Sequence, residues 1–256
     1  MSAVAALSER LGKGAPLVSA WCGMPHPQIA GLLAREPFDV VALDMQHGTV
    51  EFADAVQAIP LVAAAGKPTI VRVPVGQFAT ASRLLDSGAA GIIAPMINSA
   101  ADARALVAHT KYPPLGERSW GPTGAMALTG LDPAGYFPRA NTLHTVLAMV
   151  ETRAALDAID EILAVEGLDG VFIGPADLSI ALSNGAGVDP AGAAVTEALD
   201  HALSRARAAG KPIGVYAHVP ERATLFRDRG FDLIATLSDA GLLRAGAQAL
   251  LAALKE

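Results

Sequence analysis

Residues 170–179 read GVFIGPADLS. A run of apolar β-formers stops at a Gly-Pro turn, and Asp177 stands just past it. The run is nearly continuous in apolar residues, the pattern of a parallel strand buried on both faces rather than of a half-solvated one. One acid at the end of one strand says little. The unit gains meaning if it recurs.

It recurs along the whole chain. Working outward, runs of the same kind are PLVSAWC (16–22), DVVALDM (39–45), PTIVRVP (68–74), GIIAPM (91–96), HTVLAMVE (144–151), PIGVYAH (212–218) and DLIATL (232–237). Between them lie Ala- and Leu-rich helical segments such as EFADAVQAIPLVAAA, SAADARALVAHT, TRAALDAIDEILAV and AVTEALDHALSRARAAG. Gly-Lys-Pro and Gly-Phe-Asp punctuate the passage from helix to strand. Eight strands alternating with eight helices in 256 residues predict one α/β domain over residues 1–256, a (β/α)8 barrel with an additional N-terminal helix. A doubly wound open sheet is the alternative, but eight even units favour closure.

Two segments depart from the rhythm. Residues 111–141, KYPPLGERSWGPTGAMALTGLDPAGYFPRAN, hold five prolines and five glycines with little periodicity. Such a stretch is expected to be a surface excursion or a functional contact. The final helix, AGLLRAGAQALLAALKE, is apolar around more of its circumference than one core-facing stripe needs, which suits an oligomer contact.

Composition bounds the rest. The chain is 52% hydrophobic and 17% charged, too apolar for disorder. A net charge of −6 without a basic stripe argues against nucleic acid as a partner. The N-terminal MSAVAALSERLGKG has neither the basic start nor the long apolar core of a signal peptide, and Pro or Gly breaks every apolar run short of a membrane span. A cytoplasmic location without membrane contact is expected. The single cysteine, Cys22, excludes an internal disulfide and a cysteine-rich zinc site.

In a (β/α)8 barrel the reactive groups sit at the C-terminal ends of the strands. There the sequence places Asp44 and His47 after the second strand, Arg72 in the third, Glu151 at the end of the fifth, Asp177 after the sixth and His218 after the seventh. For any one of them a salt bridge or a solvated loop is sufficient explanation. Together they call for shared neighbours, because buried charges are rare unless paired or bound to metal. His218 is expected to be a wall residue. Glu151 and Asp177 come from neighbouring strands and would either share a proton or hold a cation. Two hard oxygen ligands with room left for water and substrate suit Mg²⁺ or Mn²⁺, with Co²⁺ a further candidate. Imine chemistry would need a lysine on that rim. Lys67 and Lys211 instead precede strands, Lys13 and Lys255 are terminal, and Lys111 lies in a connection.

The motifs LDMQHG, VRVP, PMINSAADARALVAHTKYPPLGERSWG and VETRAALDAIDEILAVEGLDGVFIGPADLS resemble the HpcH/HpaI aldolase and citrate lyase family, nearest its 4-hydroxy-2-oxoheptanedioate and 2-keto-3-deoxy-sugar-acid aldolases. The resemblance runs over nearly the whole chain. It implies a metal-dependent class II pyruvate aldolase acting on a small 2-oxo acid and an aldehyde, assembled as a homohexamer with sites at subunit contacts. It further implies Glu151 and Asp177 as metal ligands, with Gly174, Pro175 and Ala176 cradling the keto-acid carboxylate. Arg72 would bind the keto oxygen, His47 paired with Asp86 would be the base acting through metal-held water, and Asp44 would contact the aldol hydroxyl. Trp21, Met149, Trp120 and Phe172 are candidates for the pocket wall. Two positions depart from the family pattern: Gln46 replaces an acid, and Met149 replaces a glutamine that can donate a hydrogen bond. An acyl-CoA lyase of the citrate-lyase branch is the nearest rival, disfavoured by the lack of a basic groove for CoA phosphates. A non-catalytic keto-acid-binding barrel is the alternative of another class.

Overall fold

A computed structural model describes residues 2–255. Eight parallel strands close into a barrel in sequence order, β1 pairing with β8 to complete the ring. They are β1 (Leu17–Cys22), β2 (Val40–Asp44), β3 (Thr69–Arg72), β4 (Gly91–Ala94), β5 (Thr145–Val150), β6 (Gly170–Ile173), β7 (Ile213–Tyr216) and β8 (Leu233–Ser238). Each lies within an apolar run that the sequence marks as a strand, except that β8 extends one residue further.

Helices cover the outside of the barrel. The first five are α1 (Ala3–Arg10), α2 (Pro27–Leu33), α3 (Phe52–Ala64), α4 (Phe78–Asp86) and α5 (Ala100–Thr110). The 111–141 segment is not structureless: it folds into α6 (Thr123–Thr129), α7 (Pro133–Tyr136), a 3₁₀ turn (Phe137–Arg139) and the start of α8 (Ala140–Leu143). Asp132 caps α7 through its own side chain, and Tyr136 and Ala140 pack in a small apolar cluster with Ala5 of α1. Tertiary packing, not periodicity, orders these short helices. TRAALDAIDEILAV splits at Ala158 into α9 (Arg153–Asp157) and α10 (Ile159–Leu163). The remaining helices are α11 (Pro175–Leu182), α12 (Ala193–Ala208), α13 (Pro220–Arg229) and α14 (Asp239–Ala253).

The period-two alternation of strand side chains places the site. Val41 and Leu43 of β2 join the outer core against the helices, while Val40 and Ala42 face the barrel interior. Asp44 is the next member of the inward series. By the same count Ile70 leads to Arg72 on β3, and Leu147 and Met149 lead to Glu151 past β5. The interior below them is filled by Leu17, Val40, Ile70, Ile93, Leu147 and Phe172. Each such side chain contributes about 1.5–3 kcal/mol by leaving water. Leu7 of α1, wholly buried in this inner cluster, closes the opposite end.

That opposite, N-terminal rim is tied by acids that precede strands. Asp39 accepts from Val18 N, Asp169 from Val146 N and Asp232 from Ile213 N, each joining one strand entrance to its neighbour. Each is also paired with a cation: Arg10, Lys111 and Arg207 respectively.

Candidate active site

The C-terminal mouth of the barrel opens into a cavity of about 420 Å³. It is lined by Trp21 of β1, Asp44 at the end of β2, His47 in the loop that follows, Arg72 of β3, Met149 of β5 and Phe172 of β6. Gly174–Asp177, Tyr216, His218 and Asp239 also line it. No lysine is among the lining residues.

Asp44 and Arg72 are direct partners in the β2–β3 register, so their side chains leave the sheet side by side. Arg72 Nε and Nη2 donate to the two carboxylate oxygens at 2.8 and 2.6 Å, a bidentate buried pair. Asp44 also accepts from Trp21 Nε1 at 3.2 Å and from the backbone N–H groups of Gln46 and His47. Burial acts to raise its pKa, but the hydrogen bond and charge of Arg72, aided by those N–H groups, hold it below the usual carboxylate range. Asp44 is thus a fully engaged anchor that orients Arg72, Trp21 and the His47 loop. Nη1 of Arg72 makes no hydrogen bond among the described residues.

Glu151 presents the opposite situation. It is 1% exposed, and its Oε1 accepts from Met96 N at 2.8 Å, yet its Oε2 has no hydrogen-bond partner among the described residues. Burial pushes this carboxyl up to about 7; the Met96 N–H opposes the rise, the nearby charge of Asp177 adds to it, and Arg72 opposes it. A fully buried carboxylate oxygen without a donor is unfavourable by roughly 1–3 kcal/mol or more. Asp177, in the first turn of α11, is half-buried and forms no salt bridge among the described residues. Gly174 makes the approach possible, because a Cβ there would stand 2.8 Å from Glu151 Oε2 and 2.5 Å from Met149 Cε. No group of three His, Cys, Asp or Glu suited to a metal occurs among the described residues. Glu151 and Asp177 are the two carboxylates that approach each other here. Their oxygen chemistry and the orphaned Oε2 fit a small, hard divalent cation that keeps sites for water and substrate.

The apolar wall is aromatic. Trp21 stacks at 6.0 Å from Phe172 and meets Tyr216 edge-on at 5.3 Å, and the Arg72 guanidinium lies 5.0 Å over the indole. Gly214 gives Phe172 its place: a Cβ there would lie 2.5 Å from the ring. At the start of α11, Pro175 has no N–H, so Ala176 and Asp177 offer the free backbone donors of the first turn. His218 packs edge-on against Tyr216 as a wall residue, its pKa lowered by burial and then by Arg222.

Three candidates lie away from the cavity or are already engaged within the chain. His47 and Asp86 do not meet within the chain: Asp86, at the end of α4, accepts from Arg118 Nη2 at 2.6 Å and lines other cavities. Arg118 thus supplies the reason for an acid at a helix C-terminus. Trp120 is about half exposed in a cluster with Tyr112, Tyr136 and Phe137, away from the mouth. Asp44 is taken up by Arg72, so contact with an aldol hydroxyl is not its resting arrangement. One lining acid escaped the sequence reading. Asp239 follows β8 as Asp177 follows β6, and listing the charges past the eighth strand finds it.

Comparison with known proteins concerns the chain as a whole. The HpcH/HpaI aldolase/citrate lyase family profile matches residues 18–245. The chain is 38% identical over 240 residues to a hydroxypyruvate/pyruvate aldolase of Rhizorhabdus wittichii, covering 94% of each. It is 36% identical to a 2-keto-3-deoxy-L-rhamnonate aldolase of Escherichia coli, covering 84% of this chain and 80% of that one. The crystal structure of an HpcH/HpaI aldolase/citrate lyase family protein from Burkholderia cenocepacia superposes with a TM-score of 0.86 at 30% identity, covering 97% of this chain and 99% of that one.

Proposed function

The chain belongs to the HpcH/HpaI aldolase/citrate lyase family, and from that premise we propose that its barrel mouth cleaves 4-hydroxy-2-oxo acids reversibly with a divalent metal ion. The products are pyruvate or hydroxypyruvate and an aldehyde. Identity to aldolases over most of its length makes the protein a carbon–carbon lyase. The observation that carries the metal reading is the buried, unpartnered Oε2 of Glu151 beside Asp177.

Glu151 and Asp177 would hold Mg²⁺ or Mn²⁺, with Co²⁺ as an alternative, and the ion would supply positive charge against the oxygens of a 2-oxo acid. The remaining work falls to the chain's own groups. The free N–H groups of Ala176 and Asp177, presented by Gly174 and Pro175, receive the substrate carboxylate. Arg72, held in place by Asp44, directs Nη1 to the 2-oxo oxygen. Trp21, Phe172 and Met149 wall off one side from water, which strengthens each of these interactions. His47 takes the proton of the C4 hydroxyl. The C3–C4 bond then breaks, its electron pair passes into the enolate, the aldehyde departs, and C3 is reprotonated to give the 2-oxo acid.

Asp86 completes the base in this reading only from a neighbouring copy, which agrees with a homohexamer whose sites lie at subunit contacts. The exposed Leu243, Leu250, Leu251 and Leu254 on or just past α14 support an assembly, and a monomeric mass by light scattering would contradict it. The direct test of function uses the aldol adduct of pyruvate and glycolaldehyde. Chelation should abolish its cleavage and Mg²⁺ or Mn²⁺ should restore it; full activity of metal-free protein would defeat the proposal.

A further inference from the structure

Asp239 does something no helix-terminal acid needs to do. Ser238 already caps α14, its Oγ accepting from Gly241 N at 3.2 Å. Asp239 is 6% exposed, and only its Oδ1 stays with its own helix, accepting from Ala240 N at 2.8 Å. Its Oδ2 reaches across the barrel seam to the loop after β1. There it accepts from Gly23 N at 3.0 Å and Met24 N at 2.9 Å.

That loop in turn holds the next one. Gly23 O accepts from Thr49 N at 2.8 Å and from Thr49 Oγ1 at 3.3 Å. Gly48 packs so closely on Gly23 that a Cβ at 48 would stand 2.8 Å from both Gly23 Cα and Gly23 O. His47 lies between these contacts and Asp44, which accepts from Gln46 N at 3.1 Å and His47 N at 3.3 Å. The imidazole itself makes no hydrogen bond among the described residues. Its position is therefore set by its backbone, and two acids clamp that backbone: Asp44 directly, and Asp239 through Gly23.

We propose that Asp239 is a positioning residue for His47, acting through the Gly23–Met24 loop; this rests on the reading of His47 as the proton acceptor in aldol cleavage. Substituting it should slow the step that needs His47 and leave enolate formation less affected. A displacement on the order of 1 Å at a catalytic group can lower a rate about 100-fold.

The test compares Asp239→Asn, Asp239→Ala, His47→Ala and the double variant Asp239→Asn/His47→Ala in the metal-loaded full chain. Two probes are used: the pyruvate–glycolaldehyde adduct, and oxaloacetate, whose decarboxylation yields the same enolate with no hydroxyl proton to remove. Asp239→Asn should lower kcat for aldol cleavage roughly 10- to 100-fold with less than about a threefold change in KM, while oxaloacetate decarboxylation falls less than about threefold. In the His47→Ala background the same change should cost less than about twofold more, the non-additivity of two residues acting as one unit. Additive losses, or equal falls in both reactions with the fold retained, would overturn the positioning role. Should Asp239→Ala fail to fold, the near-isosteric Asp239→Asn carries the comparison. Wild-type protein that turns over neither probe overturns the aldolase reading, and the positioning role falls with it.

Discussion

The N-terminal rim pairs its acids throughout, whereas the C-terminal rim engages Asp44 and Asp239 but leaves Glu151 and Asp177 short of partners among the described residues. At the N-terminal rim Asp39, Asp169 and Asp232 each accept a strand N–H and each face a cation. Lys111, 1% exposed, there donates to Asp169 and to the carbonyls of Asn141 and His144. His144 is likewise fully satisfied, its Nδ1 donating to Ala89 O at 2.9 Å and its Nε2 accepting from Tyr136 OH at 2.6 Å. At the C-terminal rim Glu151 is equally buried, yet among the described residues one of its oxygens is unpartnered and Asp177 forms no salt bridge. Buried polar groups whose bonds are complete hold a fold together. A buried carboxylate left incomplete is unfavourable until something binds it.

The sharpest way to break this contrast substitutes one group at each rim. Glu151→Gln should lose at least about a thousandfold in kcat, about 4 kcal/mol of transition-state stabilisation, because a carboxylate ligand is removed. Measured in chelator, its melting temperature should match or exceed that of wild type, since an unfavourable buried charge is gone. Lys111→Met should do the reverse. It leaves Asp169 and two carbonyls short of a donor, lowering stability by roughly 3–5 kcal/mol in a urea titration while kcat of the folded fraction stays near wild type. A Glu151→Gln protein that unfolds readily, or a Lys111→Met protein as stable as wild type, would erase the distinction between the rims.

A smaller effect concerns His144. Burial, reinforced by the charge of Arg118, lowers its pKa from 6.5 to about 3. The unfolded chain then binds a proton that the folded chain refuses between these values. Stability contributed by neutral His144 is complete above about pH 6.5 and is lost as pH falls towards 3, by up to about 1.4 kcal/mol per pH unit. The difference between wild type and His144→Asn in urea midpoint should shrink across that range. A difference independent of pH would show that His144 already titrates normally.

Much of the fold is legible in the chain. Apolar runs such as DVVALDM and PTIVRVP fall on β2 and β3, because a strand buried on both faces must be apolar almost throughout. The same local rule exposes Asp44, Arg72 and Glu151, since a charge that continues an inward-facing series stands out from its neighbours. The 111–141 segment was less legible, because packing of Tyr136, Ala140 and Ala5, rather than a repeating pattern, orders its helices.

The order and parallel character of the strands, and the presence of unusual charges where they end, were thus determined by the sequence through periodicities that each segment carries alone. Which charges satisfy one another was decided only by the tertiary structure. Arg72 closes on Asp44, Arg118 claims Asp86, and Asp239 reaches back to Gly23 across 216 positions of chain, whereas Glu151 is left with a free oxygen. The physical reason is range. Strand and helix patterns follow from neighbours a few residues apart, but a hydrogen bond between side chains of different βα units depends on where closure of the whole barrel sets them.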